Sequence, residues 1–127
     1  MSPIKSQTMF ERVLAETKAR YDAHIMALMN GQAEFKKAAA LIERLNYLGE
    51  TELDLNAHYL SEKLDLVAYA HHCRSQEQAV FDACVATGLP FSISASHSDE
   101  LRNLIFDGCA LRIVFRDVIV ASLQVAA

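Results

Sequence analysis

The chain has 127 residues, of which 52 % are hydrophobic and 22 % charged, and its net charge at pH 7 is -4. This length supports one hydrophobic core rather than two, and the composition is too apolar for an intrinsically disordered segment. Residues 1–13 lack the apolar stretch of a secretory signal and no apolar run reaches a membrane span of roughly 18 residues, so we expect a single cytoplasmic domain, residues 1–127, without a membrane segment.

Two amphipathic helices are predicted at the start of the chain. A capping box begins at Thr8, and apolar residues then recur at three- and four-residue steps as far as Met29, before the helix-ending Gly31. A second periodic segment, residues 35–48, ends at Gly49. Because the break between them is short, we predict an antiparallel helical hairpin.

Two further helices are predicted before residue 88. Residues 50–71 begin with three acidic side chains, which the dipole of a helix N-terminus favours, and then carry an apolar stripe of Leu53, Ala57, Leu60, Leu64, Val67 and His71. A capping box at Ser75 starts the fourth helix, which ends at Gly88.

After residue 90 the periodicity changes from 3.6 to two. Phe91, Ile93 and Ala95 alternate with serines, as in a strand with one face in water. Residues 101–106 fit either a strand or a helical turn, and we prefer the strand because Asp107-Gly108, a signal for a type I′ hairpin, follows.

Strands are also predicted in the remaining residues. Residues 111–115 alternate again, and residues 118–125 are rich in β-branched side chains. The predicted fold class is therefore α+β, with about four N-terminal helices (residues 8–88), a hairpin plus two, packed on an antiparallel meander of three to four strands (residues 91–125).

Histidine and cysteine side chains form the most suggestive group for metal binding. The candidates are His58, His71, His72 and Cys73. Helical zinc sites place ligands three or four residues apart, whereas adjacent residues on a helix splay about 100° apart. We therefore expect no metal and no cofactor, and we keep as an alternative a small metal-binding protein or enzyme that uses these residues.

Other catalytic patterns are weak. Cys73, Cys84 and Cys109 are odd in number, which indicates reduced thiols, and Cys84 lies on an apolar helical face. Acidic pairs such as Asp99-Glu100 fit turns and helix starts. The chain has four glycines and no nucleotide-binding or hydrolase motif. We therefore predict that it is not an enzyme.

Interaction with another protein is the function that remains. The first helix is more apolar than its own core requires, and residues 48–100 contain nine Asp and Glu against two Lys and Arg. The missing basic stripe disfavours nucleic acid, and acidic side chains favour a basic protein surface. We predict a non-enzymatic adaptor or inhibitor that covers a surface of a larger macromolecule.

Homodimerisation through the first helix is also expected, and a structural subunit of a homo-oligomer is a further alternative. The predicted interface residues are Tyr21, Ile25, Leu28 and Met29 in that helix, and Glu50, Glu52, Asp54, Glu62 and Asp65 in the acidic segment.

Overall fold

Helices and a five-stranded sheet form an α+β fold, which confirms the predicted class. The computed structural model describes residues 8–60 and 63–126. Its elements are α1 (Met9–Asn30), α2 (Gln32–Gly49), β1 (Asn56–Leu60), β2 (Lys63–Tyr69), a 3₁₀ turn (Ala70–His72), α3 (Glu77–Ala86), β3 (Phe91–Ala95), β4 (Leu101–Phe106), β5 (Arg112–Arg116) and α4 (Asp117–Ala126). The predicted first, second and fourth helices are present, and so is the strand at residues 101–106. The predicted antiparallel hairpin of the first two helices is wrong, because residues 9–22 of α1 are exposed on every side and therefore do not pack along α2.

The strands run in the order β1-β2-β5-β4-β3. β3, β4 and β5 form the predicted antiparallel meander. β1 and β2 form a hairpin, and β2 joins the meander by pairing parallel to β5. The sheet is therefore mixed, and the carboxyl ends of β2 and β5 lie side by side.

The core lies between one face of this sheet and the helices. Alternate residues of the three inner strands point into it, including Leu66, Leu104 and Phe115. They meet buried side chains of α2 and α3, and the rings of Phe81 and Phe115 pack edge to face with centroids 5.3 Å apart. The other face is more polar, and it carries the ion pair between Asp65 and Arg112.

The predicted third helix is wrong, because residues 56–69 form the β1–β2 hairpin. Ala57 pairs with Leu66 and His58 with Asp65 across it. Within β2 the side chains alternate between the core and the opposite face of the sheet, and the three- and four-residue spacing of the apolar residues is incidental.

The predicted strand over residues 118–125 is also wrong, because α4 begins directly after β5. β5 already has β4 on one edge and β2 on the other. A following strand would find no free edge of β5 to pair with, so the β-branched residues continue as a helix. Val120 of this helix is buried in the core.

The turn after β4 differs from the predicted type I′ turn as well. That turn type needs positive φ at both central residues, but only Gly108 has it, with φ +76°, and Asp107 does not. The connection from β4 to β5 is longer than two residues, so Gly108 serves one left-handed position within a wider loop.

Candidate interaction surface

Most of α1 projects from the rest of the described chain. Every residue from Thr8 to Asp22 is exposed, around the whole circumference of the helix, and Ala27 is the buried residue of α1. We call residues 9–22 the α1 arm. At 1.5 Å per residue it is about 21 Å long. The hydroxyl of Thr8 caps its start by accepting a hydrogen bond from the Glu11 N–H at 3.1 Å.

One face of the α1 arm is apolar. Phe10, Leu14 and Tyr21 are all exposed and fall within about 40° of one another around the helix axis. Tyr21 is 64 % exposed. An isolated helix of this length is only marginally stable in water, and contiguous exposed apolar side chains mark interaction sites. The α1 arm therefore has the properties of a segment that packs against another molecule.

The predicted interface residues of α1 lie at the end of the helix and differ in burial. Tyr21, Ile25 and Met29 are exposed, with Ile25 at 39 %. Leu28 is half-buried and lines a small depression with Phe35 of α2. The apolar face therefore continues past the α1 arm, although Leu28 belongs partly to the domain's own packing.

The predicted acidic residues do not form one surface. Glu50, Glu52 and Asp54 are exposed in the connection from α2 to β1. Asp65 instead lies in β2 and accepts two hydrogen bonds from the Arg112 guanidinium of β5, the shorter at 2.9 Å. This hydrogen-bonded pair raises the pKa of Arg112. Glu62 lies outside the described residues.

The acidic connection is held in a fixed conformation by Asn46. The Asn46 Oδ1 accepts hydrogen bonds from the Thr51 hydroxyl at 2.9 Å and from the Leu53 N–H at 2.8 Å. The Asn46 amide in turn donates to the Leu53 carbonyl at 2.9 Å. Glu52 is tied at its N–H to the Gln76 side chain at 3.1 Å. Its carboxylate and that of Asp54 therefore extend from an ordered loop.

The histidine candidates gather around Tyr69, whose hydroxyl lies 2.8 Å from Nε2 of His58. The Tyr69 ring stacks on His72 with centroids 5.0 Å apart, and the His71 and His72 rings are 4.2 Å apart. The expectation that these two histidines splay apart on a helix is wrong, because they lie in the 3₁₀ turn.

This grouping is an aromatic cluster rather than a ligand set. Nowhere in residues 8–60 and 63–126 do three or more His, Cys, Asp or Glu side chains come together in a way that holds a metal ion. Cys73 is half-buried directly after the turn. Tyr69, which organises the cluster, is a residue that sequence reasoning missed, because residues 50–71 read as a helix.

A cleft lies at the carboxyl ends of the parallel strands β2 and β5. We call it the strand-end cleft, and its volume is about 540 Å³. In sheets with parallel strands, ligands commonly bind at this position. The lining side chains are His71, Arg74, Ser98, Asp99, Glu100, Leu101, Arg116, Asp117 and Val118. The sequence gives no signal for it, since these residues come from three separate segments.

Two charged side chains of the strand-end cleft, Arg116 and Asp117, form ion pairs. Glu77, 0 % exposed, accepts a hydrogen bond from Nε of Arg116 at 2.6 Å and another from the Arg116 N–H at 2.8 Å. Arg102 pairs with Asp117 at 3.3 Å. The pairing of β2 with β5 ends at Val114. Beyond it the Glu77 carboxylate takes the place of β2 and accepts the hydrogen bond of the Arg116 N–H, which would otherwise be unpaired.

His71 supplies an uncharged group to the strand-end cleft. Its Nδ1 is buried without a hydrogen-bond partner in the described structure. Burial is the main cause that lowers the pKa of His71, and the neighbouring His72 lowers it further. The imidazole is therefore neutral at neutral pH, when it can accept a hydrogen bond or a proton.

Comparisons with known proteins do not identify the chain. No family model matches it, and no curated protein sequence or solved structure does so either. None of the described helices combines the length and the hydropathy needed to cross a bilayer.

Proposed function

We propose that this chain is a non-enzymatic protein-interaction module, a small adaptor or inhibitor that covers a surface of a larger macromolecule. The observation that carries the proposal is the α1 arm, a projecting helix with Phe10, Leu14 and Tyr21 exposed along one face. The proposed partner offers an apolar groove to this face, because amphipathic helices dock in grooves through anchors spaced by whole turns.

The energetics of the α1 arm support docking. Burial of each large apolar side chain contributes roughly 1.5–3 kcal/mol, and the arm presents several of them to solvent. Because the helix is already capped at Thr8, part of the ordering cost of binding has been met before the partner arrives.

Acidic side chains outside the α1 arm support a basic partner surface. Glu52 and Asp54 extend from the ordered connection after α2. Such charges act mainly on the association rate, which then falls as salt concentration rises.

The experiment is a pull-down from the native host with two charge-matched variants. Leu14→Asp places a carboxylate on the apolar face, and Ala19→Asp places one on the opposite side of the same exposed helix. We expect the wild type and Ala19→Asp to capture the same protein and Leu14→Asp to lose it. Failure of the wild type to capture any protein, or equal loss by both variants, contradicts the proposal.

A further inference from the structure

We propose that the outer edge of β3 pairs with the β3 edge of a second copy of this chain, antiparallel and about a twofold axis at Ile93. The surface is separate from the α1 arm, so the inference does not rest on the function proposed above. Its basis is the pattern of backbone groups that β3 leaves unpaired.

β3 is a terminal strand of the sheet, with β4 on one side and no strand of the described chain on the other. The Asp107 N–H donates to the Pro90 carbonyl at 3.0 Å, which makes these residues a hydrogen-bonded pair. In an antiparallel ladder such pairs alternate with pairs that are not hydrogen-bonded. The register of β3 with β4 therefore directs the backbone of Ser92 and Ser94 toward β4.

The intervening residues direct their backbone groups outward. The N–H and C=O of Phe91, Ile93 and Ala95 point to the free edge, which gives three donors and three acceptors. Rotation about a twofold axis at Ile93 sets this residue opposite its copy and Phe91 opposite Ala95 of the copy. All six groups of each edge then find partners in a ladder with six inter-chain hydrogen bonds.

The side chains along the β3 edge permit this approach. Residues 87–98 contain no Asp, Glu, Lys or Arg. Edge strands are normally protected by charges, internal prolines or bulges, and β3 has no such device within Phe91–Ala95. In the twofold register the exposed Ser92 lies opposite Ser94 of the copy, and no like charges oppose each other.

The test uses this register-specific contact between positions 92 and 94. The double variant Ser92→Lys/Ser94→Lys sets lysine opposite lysine twice in the twofold pair. The double variant Ser92→Glu/Ser94→Lys sets glutamate opposite lysine twice. Both serines are exposed, so the two variants are matched in position and in effect on the fold.

Association is measured by sedimentation equilibrium on the full chain, in an Ile25→Asp background that is expected to weaken contacts through α1. We expect the lysine pair to weaken association by about tenfold relative to the wild-type edge and the glutamate–lysine pair to restore or strengthen it. Circular dichroism confirms that each variant is folded.

Two results overturn the proposal. One is equal association of the wild-type edge and both double variants, which places the contact elsewhere. The other is a chain with the wild-type β3 edge that stays monomeric at the highest concentration. Binding of an extended strand from a different protein by such a monomer would also overturn the proposal. Ala95→Pro is the second variant, because it removes an outward N–H while leaving the bonds to β4, and it is expected to weaken association.

Discussion

Burial sets the protonation of His71, and this makes stability depend on pH. The pKa of His71 is below its ordinary value of 6.5, chiefly because burial disfavours the charged imidazole. As pH falls below about 6.5, the unfolded chain takes up a proton at this residue while the folded chain does not. The contribution of His71 to stability is thus complete above that pH and is lost toward the lower folded pKa.

The corresponding prediction compares wild type with His71→Asn in urea unfolding between pH 5 and pH 8. The free energy of unfolding of the wild type should fall more steeply toward acid than that of the variant. The His71 ring resonances should titrate with a midpoint below 6.5. A midpoint above that value would contradict the partial burial of the imidazole.

Cys84 illustrates a second effect of burial on a single residue. All three cysteines are free, as expected, and burial raises the pKa of Cys84 to about 12. Because the thiolate is the reactive form, a thiol reagent at pH 8 should modify Cys73 and Cys109 first. Mass spectrometry of the labelled chain measures the order. Equal rates in urea are the control, and equal rates in the native protein would show that the α3 face is accessible.

At the scale of elements, the contact between α2 and α3 depends on Gly49. A Cβ at this position would lie 3.0 Å from the Ala79 carbonyl oxygen and 3.4 Å from the Ala83 Cβ. Gly49→Ala should therefore lower the free energy of unfolding by about 1–3 kcal/mol, although alanine is the better helix former by about 1 kcal/mol. A stabilised variant in urea unfolding would show that the helices separate easily.

Glu50 provides the matched test at the next position. Its φ of 52° is left-handed, where glycine commonly ends a helix. Close packing with α3 requires glycine at position 49. Position 50 is the one with left-handed backbone, and there glutamate is strained. Glu50→Gly should raise the free energy of unfolding by up to about 1 kcal/mol, measured in the same way.

The sequence predicted the first two helices and the meander because their patterns are local. Capping at Thr8, the alternation of residues 91–95 and the glycine at position 108 each depend on neighbours in the chain. Residues 52–59 also alternate between polar and apolar side chains, so the signal for β1 was present. It was outweighed by the helical spacing of Leu53, Ala57 and Leu60.

Features that depend on distant segments could not be predicted. The helical state of residues 118–125 follows from the occupied edges of β5, and the strand-end cleft is assembled from separate loops. Burial of Glu77 likewise depends on Arg116, 39 residues away. The exposure of Tyr21 and Ile25 could be predicted, since it follows from a stripe wider than the core needs, and their place in an interface stays a prediction.

At the scale of the whole molecule, residues 21–29 of α1 and the β3 edge are separate surfaces for association. Each is expected to pair with its own copy about a twofold axis. Two different twofold contacts on one chain generate even-numbered assemblies, of which a closed tetramer is the smallest that uses both. The single domain of residues 1–127 stays a prediction. This domain is the unit that such an assembly would repeat.

The contribution of α1 to this assembly is tested with Ile25→Asp. Ile25 is 39 % exposed on the apolar face that begins at Phe10, so the substitution should leave the fold intact. Loss of its burial at an interface removes roughly 1.5–3 kcal/mol and adds a carboxylate that needs solvation. The dissociation constant of the α1 contact should therefore rise by about tenfold to hundredfold.

Sedimentation and circular dichroism on the same samples measure that change, with Ala19→Asp as the control. Ala19 lies on the opposite side of the helix and is exposed, so this variant should associate like the wild type. A folded Ile25→Asp chain with reduced association supports the α1 interface, since each substitution alters both halves of a twofold contact. If Ile25→Asp associates as the wild type does, the residue faces solvent in the assembly. Equal weakening by both variants would instead trace the effect to charge on the helix.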